Sequence, residues 1–279
     1  MRVLVLASSK GGVGKSSIAS SLAVGLAKFR KVVLVDIDNS HGSTTNLGIR
    51  GHDPRNDQGE GLAKALLLGH EIPTQPARWV APWDAELVLE RTNLRVAVGG
   101  GAICDVSDAL VSGGLDTETA LASVRGLDAD IVIIDCPPGD RRLQAASLAV
   151  ADQVLVPVEY DMNSVLGLVD LVKVVVTAKR TNPGLDLAGV VLYRLAAGAP
   201  AQRREAREHM EQALNGAARV FDTIIRSSVE YGRAQNYGLV PAEYAECLRI
   251  TEGFSAAKAV SGLTWDFQNL LDEVMSTWA

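Results

Sequence analysis

Cysteine is scarce in this chain: three among 279 residues, at positions 104, 136 and 247. Spacing that wide excludes a disulfide framework and leaves no C-x-x-C metal site. Buried structural thiols are the default for such residues. Long apolar runs are also missing. No stretch approaches the roughly 18 uninterrupted apolar residues of a membrane-crossing helix. The apolar start, Val3 to Ala7, is broken by Ser8, Ser9 and Lys10. It has no cationic lead and no cleavage site, so no secretory signal is indicated and a cytoplasmic protein is expected. Basic residues are outnumbered, 27 Lys and Arg against 33 Asp and Glu, and the net charge of −6 argues against a uniformly basic surface. No linker, internal repeat or low-complexity tract divides the chain, so one domain over 1–279 is the simplest reading. A hydrophobic content of 47% with 22% charged residues is ordinary for a globular α/β protein.

What is present begins at once. Val3-Leu4-Val5-Leu6-Ala7 reads as a buried strand. Ile18, Leu22, Leu26 and Phe29 form an apolar stripe at helical spacing. Between them lies Lys10-Gly11-Gly12-Val13-Gly14-Lys15-Ser16-Ser17. Strand, glycine loop, Lys-Ser and helix together make a phosphate-binding loop. The glycines let the backbone aim its N–H groups inward at an anion, and the helix N-terminus adds positive potential. Lys15 supplies a point charge to the terminal phosphates and the Ser16 hydroxyl a Mg²⁺ ligand. The general pattern G-x-x-x-x-G-K-[ST] places its first glycine at position 9; this chain has Ser9 there, and a second lysine, Lys10, opens the loop.

Two further blocks follow. Val32-Val33-Leu34-Val35-Asp36-Ile37-Asp38 puts two carboxylates at the C-terminal end of a strand, where open α/β sheets bind ligands. Asp130-Ile131-Val132-Ile133-Ile134-Asp135 is another buried strand ending in an acid, followed by the stiff turn Cys136-Pro137-Pro138-Gly139. Elsewhere strands and helices alternate. Helices are expected over 62–68, 115–126, 142–149, 164–179, 202–215 and 253–278. The 164–179 helix carries Val165, Leu168, Val169, Val172 and Val176 on one face. Strands are expected over 87–89, 94–98, 154–158, 187–193 and 219–225, with an irregular loop over 48–61. The segment 72–84, with three prolines and Trp79 and Trp83, is the least readable. Such alternation implies a mostly parallel twisted sheet flanked by helices in one domain.

The form KGGVGK[ST], with the two acidic blocks in the same order, resembles the deviant Walker A ATPases of the ParA/MinD family, most closely the short stand-alone (Soj-like) ParA partition proteins. The resemblance covers most of the chain. Ala151-Asp152-Gln153-Val154-Leu155-Val156-Pro157 is similar to the family's A-D-x-V-L-I-P strand. Ile224-Ile225-Arg226 is similar to its I-P-R segment, and Gly238-Leu239-Val240-Pro241 to the G-x-P that ends it. The resemblance implies ATP and Mg²⁺ as cofactors. It places residues 10–17 and Arg226 on the nucleotide, with Lys15 catalytic and Ser16 on the metal. Asp36 and Asp135 hold Mg²⁺ through water, and Asp38 positions the attacking water. Lys10 reaches across a homodimer to the partner's nucleotide; the plainer alternative is a surface lysine before an ordinary loop. Family members usually continue Pro-Gln-Gly after the acids; this chain has Asn39-Ser40-His41, a departure that bears on hydrolysis rate more than on binding. His41 is either a solvated loop residue or a contact to phosphate or partner.

The resemblance further implies a slow, partner-stimulated ATPase. Its ATP-bound homodimer sandwiches two nucleotides, binds nonspecific DNA on the nucleoid, and is released by a ParB-like centromere-binding protein. Residues 173–249 carry 11 basic and 8 acidic residues, a net +3, which leaves −9 for the remainder. Lys173, Lys179, Arg180, Arg203, Arg204 and Arg207 are candidate DNA contacts. The alternative is a solvated helix paired internally with Glu205, Glu208 and Glu211. Where many ParA proteins carry Arg after a Leu-Asp-Ala turn, this chain reads Leu195-Ala196-Ala197-Gly198. A MinD-like membrane switch needs a basic amphipathic C-terminus. Residues 264–279 hold three acids and no Lys or Arg, and Leu263, Leu270, Leu271, Val274 and Trp278 are expected to pack that helix on the sheet, so no membrane partner is expected. A related ATPase positioning a protein cargo remains open. So does a ligase of the dethiobiotin-synthetase type, although no small-substrate constellation is evident. The iron–sulfur-bridged dimer of nitrogenase iron protein, a relative by its loop, finds no matching Cys-Gly-Gly here. Residues 48–101 match no motif and are open for partner specificity.

Overall fold

β-Branched runs buried on both faces set the frame. In the computed structural model the backbone is described for residues 1–81, 84–196, 198 and 200–278, with side chains except those of 80, 85–87 and 162–165. Trp83, Ala197 and the Val165 side chain lie outside the described residues. Five strands form the centre: β1 (Arg2–Leu6), β2 (Val32–Asp36), β5 (Ile131–Asp135), β6 (Gln153–Glu159) and β7 (Asp186–Leu195). The edges are β3 (Gln75–Ala81) with β4 (Asp84–Ala97), and β8 (Val220–Arg226). The eight strands run in the order β3-β4-β2-β5-β1-β6-β7-β8, and only β3 is antiparallel to its neighbour. In register, Leu6 lies beside Asp135 and Asp36 beside Asp135. The C-terminal ends of β1, β2 and β5, where the sequence carries its loop and its acids, therefore meet at one rim.

Alternate strand residues feed two cores. Val3, Val5, Val33 and Val35 point to one face. They meet α3 (Glu60–Leu68), α4 (Ile103–Ser112), α5 (Arg141–Val150), α6 (Met162–Ala178) and α7 (Pro200–Leu214). Leu4, Leu6, Val32 and Leu34 meet Ile18 and Leu22 of α1 (Lys15–Leu26) and Leu263, Leu270, Leu271 and Val274 of α10 (Phe254–Ser276). Each such fully buried aliphatic side chain stabilises by about 1.5–3 kcal/mol. Among the described residues the remaining α-helices are α2 (Gly42–Asn46), α8 (Val229–Tyr237) and α9 (Pro241–Thr251).

The structure corrects several expectations. The helix expected over 115–126 is only a 3₁₀ turn, Ala122–Gly126, while the true helix is α4, which buries Ile103, Val106 and Leu110 at helical spacing. The two short strands near 87–98 are one 14-residue strand, β4, paired with β3 in a hairpin. Phe29 lies beyond α1 and is exposed. On α6 the buried residues are Leu168, Leu171 and Val175, and Val176 is exposed. Of the cysteines only Cys136 is buried; Cys104 is exposed.

The open edges are closed by side chains. On β8, Glu273 of α10 accepts from the N–H groups of Asp222 (2.9 Å) and Thr223 (2.7 Å), and Asp266 accepts from that of Arg226 (3.0 Å). Arg203 donates to the Ile224 carbonyl at 3.1 Å. Arg55 does the same for β3, donating to the Pro76 carbonyl at 2.8 Å. Two of the three C-terminal acids are thus consumed in capping a sheet edge, which blocks edge-to-edge pairing. Among the described residues no helix is long and apolar enough to cross a membrane.

Candidate functional site

The loop after β1 is shaped by backbone conformation. Gly12 (φ 80°) and Gly14 (φ 88°) are left-handed, a region in which side chains are strained. Gly14 caps α1, and its carbonyl accepts from the Ile18 N–H at 2.8 Å. The first turn of α1 holds no acid, so the positive end of the helix is left for an external anion. Gly11 and Gly12 are exposed, Val13 is buried under the loop, Ser16 is half-buried and Ser17 buried. Lys15 is 5% exposed and has no ion pair within 4 Å among the described residues. Space forces Gly14 as well: a Cβ there would lie 2.5 Å from ring atoms of Tyr193. Gly14→Ala is therefore expected to lose ATP binding and to melt lower. The second substitution Tyr193→Ala should restore part of the stability but not the left-handed conformation, and ATP titration with thermal scans checks both.

The three acids have different environments. Asp36 is fully buried. Its Oδ2 accepts from the Thr44 N–H and hydroxyl, both at 2.8 Å, and its Oδ1 from the Asp38 N–H at 3.2 Å. Thr44 in turn accepts from the Gly99 N–H at 3.0 Å. Asp36 thus ties the switch-like helix α2 to the turn after β4. Asp38 is 4% exposed, and one of its oxygens, Oδ1, accepts from the Ser40 N–H (2.9 Å) and hydroxyl (2.8 Å). Asp38 also borders a cavity of about 340 Å³ shared with Cys104, Ser107 and Pro138. Asp135 is fully buried; its Oδ2 accepts from the Ser43 hydroxyl at 2.7 Å, and among the described residues its Oδ1 lacks a donor at hydrogen-bond geometry, although the Ser16 hydroxyl lies near the carboxylate. Ser43, Thr44 and Gly99 escaped the sequence reading. The available signal was small polar residues seven and eight positions after Asp36, and a glycine run after a strand.

Burial raises the Asp36 carboxyl above its ordinary range, and the Asp135 charge adds to it, against the hydrogen bonds from Thr44 and Asp38. Burial raises Asp135 too, opposed by Lys15 and by the Ser16 and Ser43 hydroxyls. The folded state therefore binds these protons more tightly than the unfolded chain. That stability is present below the ordinary carboxylate range and is lost as pH rises through the folded values. Asp135→Asn, which keeps an acceptor for Ser43, should melt higher than the native chain at pH ~8, by about 2–4 °C for each kcal/mol relieved. The gap should close by pH ~4. Nucleotide-free thermal scans check this; a lower melting temperature at pH ~8 would remove the burial argument.

A cavity of about 730 Å³ opens between the ends of β7 and β8, lined by Glu159, Asp161, Tyr193, Arg226, Tyr231 and Gln235 among others. Arg226 is locked to Asp266 by two bonds of 2.7 and 2.8 Å, and a Cβ at Gly262 would strike its guanidinium. Lys10 is half-exposed and lies beside Asp161 at 2.9 Å. His41, left-handed at the start of α2, faces only the Asn39 carbonyl, at 3.5 Å. The candidate DNA contacts lie on or just after α6 and on α7. Lys173 pairs with Asp170 (2.9 Å), Lys179 with Asp186 (3.2 Å), and Arg207 with Glu211 (2.9 Å) and with Asp222. Arg203 serves the β8 edge as above, and Arg180 and Arg204 are exposed.

A glycine loop between strand and helix, with acids at the ends of the nearby strands β2 and β5, defines a P-loop nucleotide-binding protein. The chain belongs to the AAA domain family, in its ParA/MinD-type branch, whose model matches residues 1–187. The chromosome partitioning protein ParA of Caulobacter vibrioides is 28% identical over 250 residues, covering 85% of each chain. The maintenance of carboxysome distribution protein A of Gloeothece citriformis is 25% identical, covering 94% of this chain and 99% of that one. Among solved structures, apo McdA of Cyanothece superposes with a TM-score of 0.69 at 25% identity, over 93% of this chain and 99% of that one. Cobyrinic acid a,c-diamide synthase of Mycobacterium smegmatis, with an ATP analogue and magnesium bound, gives 0.64 at 25% identity, over 91% and 96%. ATP and Mg²⁺ are the cofactors, and the chain is an ATPase of this family.

The residues fit both cofactors. The Oδ1 of Asp135 is a buried acceptor in want of a well-aligned donor, as a metal-bound water supplies. The half-buried Ser16 hydroxyl lies where a Cβ at Gly42 would strike it, at 2.7 Å. Bound Mg²⁺ would neutralise phosphate charge that develops during transfer. The chain's own part is positional: Ser43 donates to Asp135 and Thr44 to Asp36, while the loop amides and Lys15 would hold the anion.

Proposed function

We propose that this chain is an ATP-dependent dimerising switch for DNA partition. In this reading its ATP-bound homodimer binds nonspecific DNA, and a ParB-like partner stimulates otherwise slow hydrolysis and releases it. The observation that carries the reading is Lys10: a cation that opens the phosphate loop yet is half-exposed and, in this subunit, bonded to Asp161 rather than held by the loop. Such a lysine completes the charge around the phosphates only when a second subunit supplies it, which makes the monomer a poor catalyst. Ser16, Asp36 and Asp135 serve Mg²⁺, Asp38 positions water, and Arg226 flanks the nucleoside. DNA contacts fall to Arg180 and Arg204 first. Lys173, Lys179 and Arg207 exchange weak surface ion pairs for phosphates.

A second reading, in which the switch positions a protein cargo, is favoured by two observations. The carboxysome distribution protein matches nearly end to end, and most of the candidate DNA cations are already engaged within the chain. The deciding experiment is binding to nonspecific duplex DNA at two salt concentrations with ATP, ADP or no nucleotide. Partition predicts binding with ATP only, weakening with a log–log slope of about −0.9 per phosphate contacted. No binding in any state sinks the DNA reading and leaves the protein cargo.

A further inference from the structure

The segment 48–101, which no motif explains, gathers three donors at one end of α8. That helix buries only Tyr231 and Ala234, little apolar contact with which to fix its place. A helix leaves its last carbonyls without partners of its own, yet here each carbonyl from Ala234 to Gly238 accepts a hydrogen bond. Ala234 and Gln235 accept from the Leu239 and Gly238 N–H groups, at 3.0 and 2.9 Å. Side chains of the segment serve the rest. Arg50 donates to the Asn236 carbonyl and, at 3.4 Å, to that of Gln235. Trp79 Nε1 donates to Tyr237, and Arg91 Nη2 donates to Gly238 at 3.1 Å. The Arg91 side chain is 4% exposed, and its guanidinium does more. Its Nη1 donates at 2.7 Å to the carbonyl of Leu47, the C-cap of α2. Its Nε and Nη2 donate to the two oxygens of Glu243 on α9, both at 2.8 Å. α2 and α8 also meet directly. Gln235 Nε2 donates to Asn46 Oδ1 at 3.1 Å, and a Cβ at Gly238 would lie 2.7 Å from the Gly48 Cα.

We infer that Arg91 is a positioning residue for nucleoside binding: it locks the C-terminal end of α8 to that of α2, and so sets where α8 stands beside the 730 Å³ cavity. This role rests on the reading of that cavity as the nucleoside's. Tyr231, Gly232 and Gln235 of α8 line the cavity, whereas Arg91 acts from the far end of the helix and is not among the lining residues. A cation also suits a helix C-terminus, where carbonyl dipoles leave negative potential. A ligand that fits one placement of a helix loses affinity in proportion to the time the helix spends elsewhere. A hydrogen bond from a charged group is worth about 10- to 150-fold in such an equilibrium. The phosphate loop is shaped separately, by Gly12, Gly14 and the start of α1. α2 keeps its own anchors, Ser43 on Asp135 and Thr44 on Asp36. Loosening the Arg91 clamp therefore removes the nucleoside's share of binding and spares the share of the phosphates.

The test is calorimetric titration with Mg-ADP and, separately, with Mg-pyrophosphate, which carries the phosphates without the nucleoside. Arg91→Lys keeps a charge for Glu243 but loses the planar fork that reaches both helix ends. It should weaken ADP binding about 10-fold or more and leave pyrophosphate within about twofold. Trp79→Phe keeps the ring and loses the donor to Tyr237. It should shift ADP alone by a smaller factor, and it supplies the measurement where Arg91→Lys does not fold. Arg55→Met is the control for stability. Arg55 holds Asp53 and the Pro76 and Arg78 carbonyls, so its loss should lower the melting temperature yet leave the ratio of the two affinities as in the native chain. Equal losses for both ligands, or an unchanged ratio in both Arg91→Lys and Trp79→Phe, overturn the inference while the nucleoside assignment stands. A native chain that binds ADP no tighter than pyrophosphate overturns that assignment, and the clamp falls with it.

Discussion

Lys15→Ala should bind ATP roughly 30- to 4,000-fold more weakly than the native chain, the range expected when one partner of a buried charge pair worth about 2–5 kcal/mol is truncated. The same substitution should leave the nucleotide-free fold as stable as before, or more so. Both expectations come from one feature: Lys15 is almost fully buried, yet no carboxylate stands within 4 Å among the described residues. A buried ammonium without a close counter-charge costs the folded state free energy. The glycine loop and the acid-free first turn of α1 add no negative charge to offset it. Asp135 feels Lys15 at longer range, as its lowered proton affinity from that source shows. The site is therefore charged in advance for an anion that arrives later. Isothermal titration with Mg-ATP and a thermal scan without nucleotide separate the two effects. Retained micromolar affinity would end the assignment of this loop to phosphate.

The parts legible in the sequence are those in which the determinants are local. Central parallel strands are buried on both faces, so β1, β2, β5 and β6 appear as near-continuous apolar runs rich in Val, Ile and Leu. The phosphate loop and the three acids lie at the ends of those runs, and sheet register brings Asp36 beside Asp135. The edge hairpin is different. The first part of β4, through Asn93, is exposed at most described positions and carries Glu90 and Arg91, so it reads as broken polar sequence; it is held by pairing with β3 and by Arg91, which donates to Glu243, Leu47 and Gly238. α4 was hidden by Gly99–Gly101, which read as the end of a strand. Those glycines instead let the turn press against the Asp36 backbone, where a Cβ at Gly99 would lie 2.4 Å from the Asp36 carbonyl oxygen. Residues 115–126 have helical composition, but only Leu121 and Val124 of the segment's C-terminal half, with Ala120, find the core, too little to extend one turn into a helix. α8 buries only Tyr231 and Ala234, so no apolar period announces it; α9 does bury Pro241, Tyr244 and Leu248 at helical spacing, but polar residues between them and a proline at its start disguise the period.

The same distinction runs through the site. The hydroxyls of Ser43 and Thr44 were overlooked because nothing local marks a serine as a ligand to an acid 92 residues away. The fate of the basic residues was also non-local. Arg203 and Arg207 share a helix face as spacing requires, but their partners, the Ile224 carbonyl and Asp222, come from β8. Charge counted along the chain therefore overstates the cations free for DNA. In the C-terminal helix the acids that argued against lipid proved to have a structural use, capping β8.

Lys10→Ala should retain nucleotide binding and the native fold yet lose ATP-dependent dimerisation and nearly all turnover. Its side chain is 45% exposed and among the described residues its ion pairs are with Asp161 and Glu159, so removing it disturbs no core and takes nothing from the amides and Lys15 proposed to hold the phosphates. What disappears is the charge that a second subunit would bring. A cation supplied in trans to a transferring phosphoryl group is worth about 10³- to 10⁵-fold in rate, so residual hydrolysis should fall by roughly three orders of magnitude even where ATP is saturating. Lys10→Arg is the sharper comparison. It keeps the charge but replaces a compact ammonium with a planar fork that pairs with carboxylate in two bonds. Arginine should therefore pair more tightly with Asp161 and Glu159 and recover less turnover than its retained charge alone would give. Wild-type turnover in Lys10→Ala would instead make Lys10 an ordinary surface lysine and the chain a nucleotide-binding protein that acts as a monomer.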